Sequence, residues 1–202
     1  MKHTKTIALI SLSGCLLFFA IVCGLHFLRA DKNILSSFVS EYAVGDYSWL
    51  MTIAFYALAF AGILLLSGLM INIKSSKISI ITKGIFCVGM LLVAMFPTDV
   101  PVIPPTLRGL IHGSAALIAL ICLSIAMIAW GAVFKRNENW KSFAKTSLIF
   151  GVVSLLLFIV FFASPIPLRG LSERILLVWD ISWLLLVSRK FYFNSLVNAP
   201  AI

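Results

Sequence analysis

Six stretches of about 20 apolar residues divide this chain, and that is the length a helix needs to cross a hydrocarbon core about 30 Å thick. They fall at about 7–28, 48–71, 79–96, 110–134, 142–163 and 172–191. Inside a bilayer every backbone N–H and C=O must be bonded within the spanning structure, so the choice is helices or a closed barrel. Barrel strands alternate apolar and polar residues over about ten positions. These runs are continuous and twice that length, so the expected fold is all-α: a polytopic bundle of six transmembrane helices, forming one domain over residues 1–202.

Composition agrees. Hydrophobic residues make up 61% of the chain and charged ones 11%, where a soluble domain carries about 25% charged residues. Mean hydropathy is +1.09. The net charge of +9 comes from basic residues dispersed among apolar runs, without the clustered stripe that tracks a phosphate backbone. Nucleic acid is therefore not an expected partner; the lipid bilayer is. Cys15, Cys23, Cys87 and Cys122 all lie inside apolar runs without CxxC spacing, so they read as packing residues and no metal site is expected.

The basic residues instead set topology, because short cytoplasmic loops retain Lys and Arg. One face collects Lys2, Lys5, Lys74, Lys77, Lys83, Lys135, Arg136, Lys141, Lys145, Arg189 and Lys190 against Glu138. The other has Arg29, Lys32, Arg108, Arg169 and Arg174, offset by Asp31, Glu41, Asp46, Asp99 and Glu173. Both termini are thus expected on the cytoplasmic side of a prokaryotic inner or plasma membrane. The segment Leu12-Ser13-Gly14-Cys15 has the form of a lipoprotein cleavage box. The chain stays apolar through Leu28, however, so a retained first helix is expected. Trp130 and Trp140 are expected as interfacial anchors on the basic side. Leu107-Arg108-Gly109-Leu110 and Leu168-Arg169-Gly170-Leu171 open the fourth and sixth spans as a short internal echo, each after a proline-containing loop.

Ionisable residues in or near spans are costly and mark candidate sites. Here they gather toward the outer side. Asp180 lies about 13 Å into the last span at 1.5 Å per residue, with Glu173 on the same helical face and Trp179 and Trp183 beside it. The pair reads as one wall of a pocket, or Asp180 as a carboxylate bonded to a neighbouring helix. Asp99 follows the third span and His112 opens the fourth, so the intervening loop, with its four prolines at 97, 101, 104 and 105, is placed to bring them together. A carboxylate orienting an imidazole suits a general base. Asp99, His112 and Glu173 are accordingly the catalytic candidates. His26 and His112 sit at similar depth, the arrangement of two axial ligands to a b-type haem. No GxSxG, P-loop, HExxH or Gly-rich dinucleotide turn occurs.

Four motifs together carry a resemblance: Ser40-Glu41-Tyr42 with Trp49, Phe96-Pro97-Thr98-Asp99, His112-Gly113, and Leu171-Ser172-Glu173-Arg174 with Trp183. Over most of its length the chain resembles the six-span prokaryotic membrane proteins grouped as domain of unknown function 998. The resemblance implies the six-helix fold and one outer-facing constellation of Glu41, Asp99, His112, Glu173 and Arg174. It assigns no activity and no cofactor. Seven-span zinc hydrolases are a poorer comparison, since they carry an HxxxH pair in the last span where this chain has Asp180 and no histidine.

Three functions fit. The first is an outward-facing polar pocket, involving Glu41, Asp99, His112, Glu173, Arg174, Asp180 and Trp183, that binds or processes a lipid-like or other small amphipathic molecule. It requires Asp99, His112, Glu173 and Arg174 to converge beside an apolar groove open to lipid. The second is a small ion-coupled carrier, which calls for a second ionisable group near the midplane besides Asp180. The third is a non-catalytic accessory protein recognised through its helix faces.

Overall fold

A computed structural model describes residues 2–100 and 104–197; Pro101, one of the prolines expected to turn the third connection, lies outside them. Six long helices follow one another: α1 (Lys2–Leu28), α2 (Ser48–Asn72), α3 (Lys77–Met95), α4 (Leu107–Phe134), α5 (Lys141–Ala163) and α6 (Arg169–Val197). Short 3₁₀ turns at Val39–Ala43 and Ile166–Leu168 lie in two of the connections. The centres of the expected runs are correct; most helices begin a few residues earlier, where polar residues continue the backbone pattern, and α3 ends at Met95, one residue short of its expected end. Ser76 and Thr106 act as N-caps, accepting from the backbone N–H of Ser79 at 3.1 Å and of Gly109 at 3.2 Å, which satisfies donors a helix start leaves open.

Each helix packs antiparallel on its chain neighbour, and α6 returns to α1 and closes the ring. Small residues set the close approaches: Gly14 lies against Ala57 and Ala61, Gly89 against Ala115 and Ala119, and Gly131 against Ala144 and Leu148. One end of the bundle carries the helix ends nearest both chain termini, here the terminal end. The opposite end carries the 29–47 loop and the starts of α4 and α6, here the mouth end.

The side-chain sorting is that of a protein in lipid. In α5 the buried residues are Ser147, Gly151 and Ser154, while Leu156, Ile159, Val160 and Phe162 face outward. A water-soluble helix would show the reverse. Five helices, α1 to α5, are long and apolar enough to cross a membrane. α6 is the longest at 29 residues but carries Glu173, Arg174, Asp180, Arg189 and Lys190 along its length. Arg174 and Asp180 are turned inward, 9% and 0% exposed, whereas Arg169 and Arg189, near the two ends of the helix, are exposed.

A polar seam joins α4, α5 and α6. In its upper layer Ser154 Oγ donates to Asp180 Oδ1 at 2.6 Å and lies 2.6 Å from Ser124 Oγ, which in turn lies 2.9 Å from the Leu120 carbonyl. In its lower layer Trp183 Nε1 donates to Ser147 Oγ at 2.9 Å, and Ser147 donates to the Met127 carbonyl at 2.7 Å. Gly151 sits between the layers where α5 crosses α4. Without hydrophobic drive between helices in lipid, such small residues and hydrogen bonds hold the contact.

Two expectations for the basic side change. Trp130 and Trp140 are not interfacial anchors: they are 0% and 3% exposed, grouped around Phe134, which stacks on Trp140 at 4.5 Å. Two aromatic residues at a helix end can pack on each other as readily as on headgroups, and the connection Lys135–Trp140 folds them inward. Lys83 is not at the surface either. It is 0% exposed, with its ammonium 5.5 Å from the Trp183 ring centroid and 5.7 Å from that of Phe86.

A Cβ at Gly151 would stand 2.8 Å from the Ser124 carbonyl oxygen and 2.9 Å from the Ile128 nitrogen, both backbone. Gly151→Ala should therefore destabilise the bundle by about 1–3 kcal/mol, the usual range for overpacking. Gly24→Ala, where nothing lies within 4 Å, should be neutral. Thermal unfolding of both variants in the same mild detergent checks the contrast.

Candidate functional site

Loop 29–47 is stitched down at the mouth end by Arg29. Its guanidinium makes a two-pronged contact with Asp31 at 2.7 and 2.8 Å and donates to the carbonyls of Val44 and Asp46, both at 2.8 Å. That hydrogen-bonded contact holds the Asp31 carboxyl below the ordinary aspartate range. Gly45, at φ +83°, supplies the left-handed turn under the guanidinium. Glu41, a candidate ligand residue, is occupied within the loop: Oε2 pairs with Lys32 at 3.1 Å and Oε1 accepts from the Phe38 N–H at 3.0 Å.

Arg174 ties this loop to the helices. Nε donates to His26 Nε2 at 2.9 Å, Nη1 to the carbonyls of Ser37 at 2.6 Å and Gly170 at 2.9 Å, and Nη2 to the Tyr42 hydroxyl at 3.2 Å. The acceptors come from α1, the loop, the 3₁₀ turn and α6 itself. The neighbouring Glu173 reaches the same loop, accepting from the Val39 N–H through Oε2 at 2.6 Å. His26 Nδ1 lies against the Val22 carbonyl, so Nδ1 bears the proton and Nε2 is the acceptor. With both ring nitrogens engaged, His26 is not arranged as an axial haem ligand, and equal depth on two helices does not amount to a ligand pair.

Asp99 and His112 do not meet. Asp99 accepts from the Thr106 backbone N–H and hydroxyl, both at 2.7 Å, closing the loop before α4. His112 Nδ1 donates to the Phe96 carbonyl at 2.7 Å, because a carbonyl offers no proton. The loop holds each residue to backbone at its own end, which is why proximity in sequence did not become contact. The repeated Leu-Arg-Gly-Leu segments gain a physical reason here. A Cβ at Gly109 would collide with the Asp99 carboxylate, and one at Gly170 with the Ser37 backbone. Both glycines let a mouth-end loop seat against the first turn of a helix.

Between these ties lies a cavity of about 410 Å³ with walls from all six helices and the 29–47 loop. Phe18, Phe55, Leu58, Met90, Leu120, Phe161 and Leu176 are among its apolar lining residues, and Ser40, Thr98, His112, Arg169 and Glu173 supply the polar groups. The polar residues cluster near the mouth end, while Leu120 stands about 20 Å along α4 from its start at 1.5 Å per residue. The volume is within the range of pockets for small ligands, about 300–1,000 Å³. Asp180 and Trp183 are not in this lining; they belong to the seam below. Thus His112 and Glu173 share the cavity, Arg174 braces it from behind, and Asp99 and Glu41 hold loops at its edge.

The aromatic and aliphatic walls were not legible as site residues, since each looks like ordinary core in its own helix. Among the described residues no group of three or more His, Cys, Asp or Glu side chains is placed to hold a metal ion. No curated protein and no solved structure matches the chain. A family model does, over residues 12–190, which takes in the bundle, the mouth-end loops and every polar residue of the cavity. The chain belongs to the family described as protein of unknown function DUF998.

Proposed function

We propose that this protein is a six-span membrane protein, with both termini cytoplasmic, whose outward-facing cavity binds a lipid-like or other small amphipathic molecule. The observation that carries this reading is the division of the cavity: polar groups at the mouth end and apolar walls below. An amphipathic ligand satisfies both regions at once, its chain covering apolar surface at roughly 25 cal/mol per Å². Its head would meet His112, Glu173, Arg169, Ser40 and Thr98. The same cavity without chemistry is a binding site; with chemistry, His112 and Glu173 are the groups at the reacting end. The count of six spans takes α6 as a crossing helix, supported by its length and by the inward placement of Arg174 and Asp180. The bias of Lys and Arg toward the terminal end supports its cytoplasmic placement in a prokaryotic inner or plasma membrane.

A topology experiment separates six spans from five. With α6 crossing, cysteines introduced at Glu138 and Asn194 should both label from the cytoplasmic side, and one at Asn33 from outside, in a background with the native cysteines replaced. Opposite labelling of Glu138 and Asn194 would contradict the sixth crossing.

Ala116→Trp fills the cavity from α4. Purified wild-type protein should bind a dansyl-labelled fatty alcohol saturably, and Ala116→Trp should weaken that binding at least tenfold while keeping its melting temperature within a few degrees. Equal binding by the two would remove the cavity as the site. Among dansyl probes of one chain length, Glu173→Gln should selectively weaken an amine head and Arg169→Gln a carboxylate head. Asp99→Asn should leave binding intact and act on loop stability instead.

A further inference from the structure

Helix α4 meets α5 along one face, and the contact changes character partway up. In the terminal half Gly131 lies against Ala144 and Leu148, Gly151 lies against Ser124 and Ile128, and Ser124 Oγ stands 2.6 Å from Ser154 Oγ. Helical spacing carries the same face of α4 toward the mouth through Leu120, Leu117 and Gly113, and that of α5 through Phe158 and Phe161. Here the faces border the cavity. Leu120, Leu117 and Gly113 line it from α4, and Phe161 and Phe162 line it from α5. A Cβ at Gly113 would find nothing within 4 Å, whereas Gly131 and Gly151 are crowded by backbone atoms. The last buried residue of α5 is Ser154. From there to its end at Ala163 the helix rises about 14 Å at 1.5 Å per residue.

Other edges of the cavity are fastened. His112 ties α4 to α3 through the Phe96 carbonyl at 2.7 Å, and Arg174 ties α6 to α1 through His26 at 2.9 Å. The mouth-side parts of α2 and α3 carry Phe55, Leu58, Met90 and Val93, all buried. Over the top, the loop that supplies Phe38, Val39 and Ser40 to the lining is held by Glu173 on Val39 and Arg174 on Ser37, both at 2.6 Å. Among the described residues, no hydrogen bond or ring contact joins α4 to α5 above the Ser124–Ser154 pair. Phe162 belongs to the lining and is nonetheless 54% exposed, so one side chain faces both the cavity and the outside. Its surroundings on the outer surface are apolar: Ile159 and Val160 on α5 and Leu110 and Ile118 on α4 are exposed.

We propose that the mouth-side parts of α4 and α5 form a lateral portal, through which a single-chain amphiphile dissolved in the bilayer enters the cavity sideways. This rests on the reading of the cavity as an amphiphile site and adds the source of the ligand, which is the lipid phase. The roof is locked and the side is loose. A chain passing Phe162, Leu117 and Gly113 stays in apolar surroundings throughout, while a hydrated solute crossing the same edges loses its water without a compensating hydrogen bond. A volume of about 410 Å³, toward the lower end for small-ligand pockets, suits one chain.

The test uses the full chain in phosphatidylcholine vesicles, its native cysteines replaced, with the dansyl-labelled fatty alcohol supplied in the bilayer and read by energy transfer from tryptophan. Gly113→Cys and Phe162→Cys, bridged by a short reducible bifunctional methanethiosulfonate, should slow probe entry and release at least tenfold, and reduction should restore both. Loss of a binding contact would speed release instead. Leu35 and Leu171, joined by a backbone hydrogen bond of 2.9 Å, offer a second bridge through Leu35→Cys and Leu171→Cys. It fastens the loop to α6 and should leave both rates unchanged. Gly113→Phe, a single change into open space, should slow entry and release in the same sense, which keeps the test decisive if the first bridge does not form. Unchanged rates with the portal bridged or narrowed, or slowing by the loop bridge, would overturn the portal and leave the cavity site standing. Absence of saturable binding in the unbridged protein would remove the cavity site and the portal with it.

Discussion

The guanidinium of Arg174 is the interaction on which the mouth end depends. Among the described residues no carboxylate is hydrogen-bonded to it; it is held by two carbonyls, a histidine nitrogen and a phenol. A buried cation so arranged is satisfied by geometry, which makes it sensitive to the position of every acceptor. Its acceptors lie on α1, on the 29–47 loop and on α6, so one side chain closes the helix ring and seats the loop over its centre. Glu173, the preceding residue, then has its carboxylate at the cavity and its second anchor on Val39. Arg174 thus joins the loop that Arg29 folds to the helices that carry the cavity's polar groups.

The same desolvation argument organises the rest. Apolar side chains have nothing to gain by hiding from lipid, so the bundle turns them out and keeps inside what lipid would penalise. That leaves α5 burying Ser147, Gly151 and Ser154 and α6 burying Arg174 and Asp180. The polar interior divides by depth. At the mouth end the ionisable groups are tied by hydrogen bonds around an apolar space. From the middle toward the terminal end, Asp180 Oδ2 and Lys83 Nζ are buried without a hydrogen-bond partner among the described residues, and the rings of Trp130, Phe134 and Trp183 pack between the helices.

How much of this could be read from sequence follows the range of each signal. The helices were legible because twenty apolar residues in a row admit few other structures, and α2 begins and ends within a residue of its expected 48–71 run. α6 was legible as a helix but its charges make it different in kind from α1 to α5. The depth of His112 and Glu173 was readable from their distance to a helix end, and both line the cavity. The Asp99–His112 contact was not, because each side chain had a backbone partner nearer than the other. Lys83 was misplaced for a related reason. Six residues from the start of α3, a lysine can extend to a headgroup or fold inward, and only the rings of Phe86 and Trp183, one of them on a distant helix, decide which.

The central claim is that the cavity at the mouth end is built for an amphipathic occupant. Native mass spectrometry of the intact protein, released from the membrane of its own cells in a mild detergent, tests that claim most directly. The account predicts a defined adduct of small-amphiphile mass at one per chain in the wild type, missing from a variant whose cavity is filled. Only bare protein mass, or the same adduct in both, would contradict it.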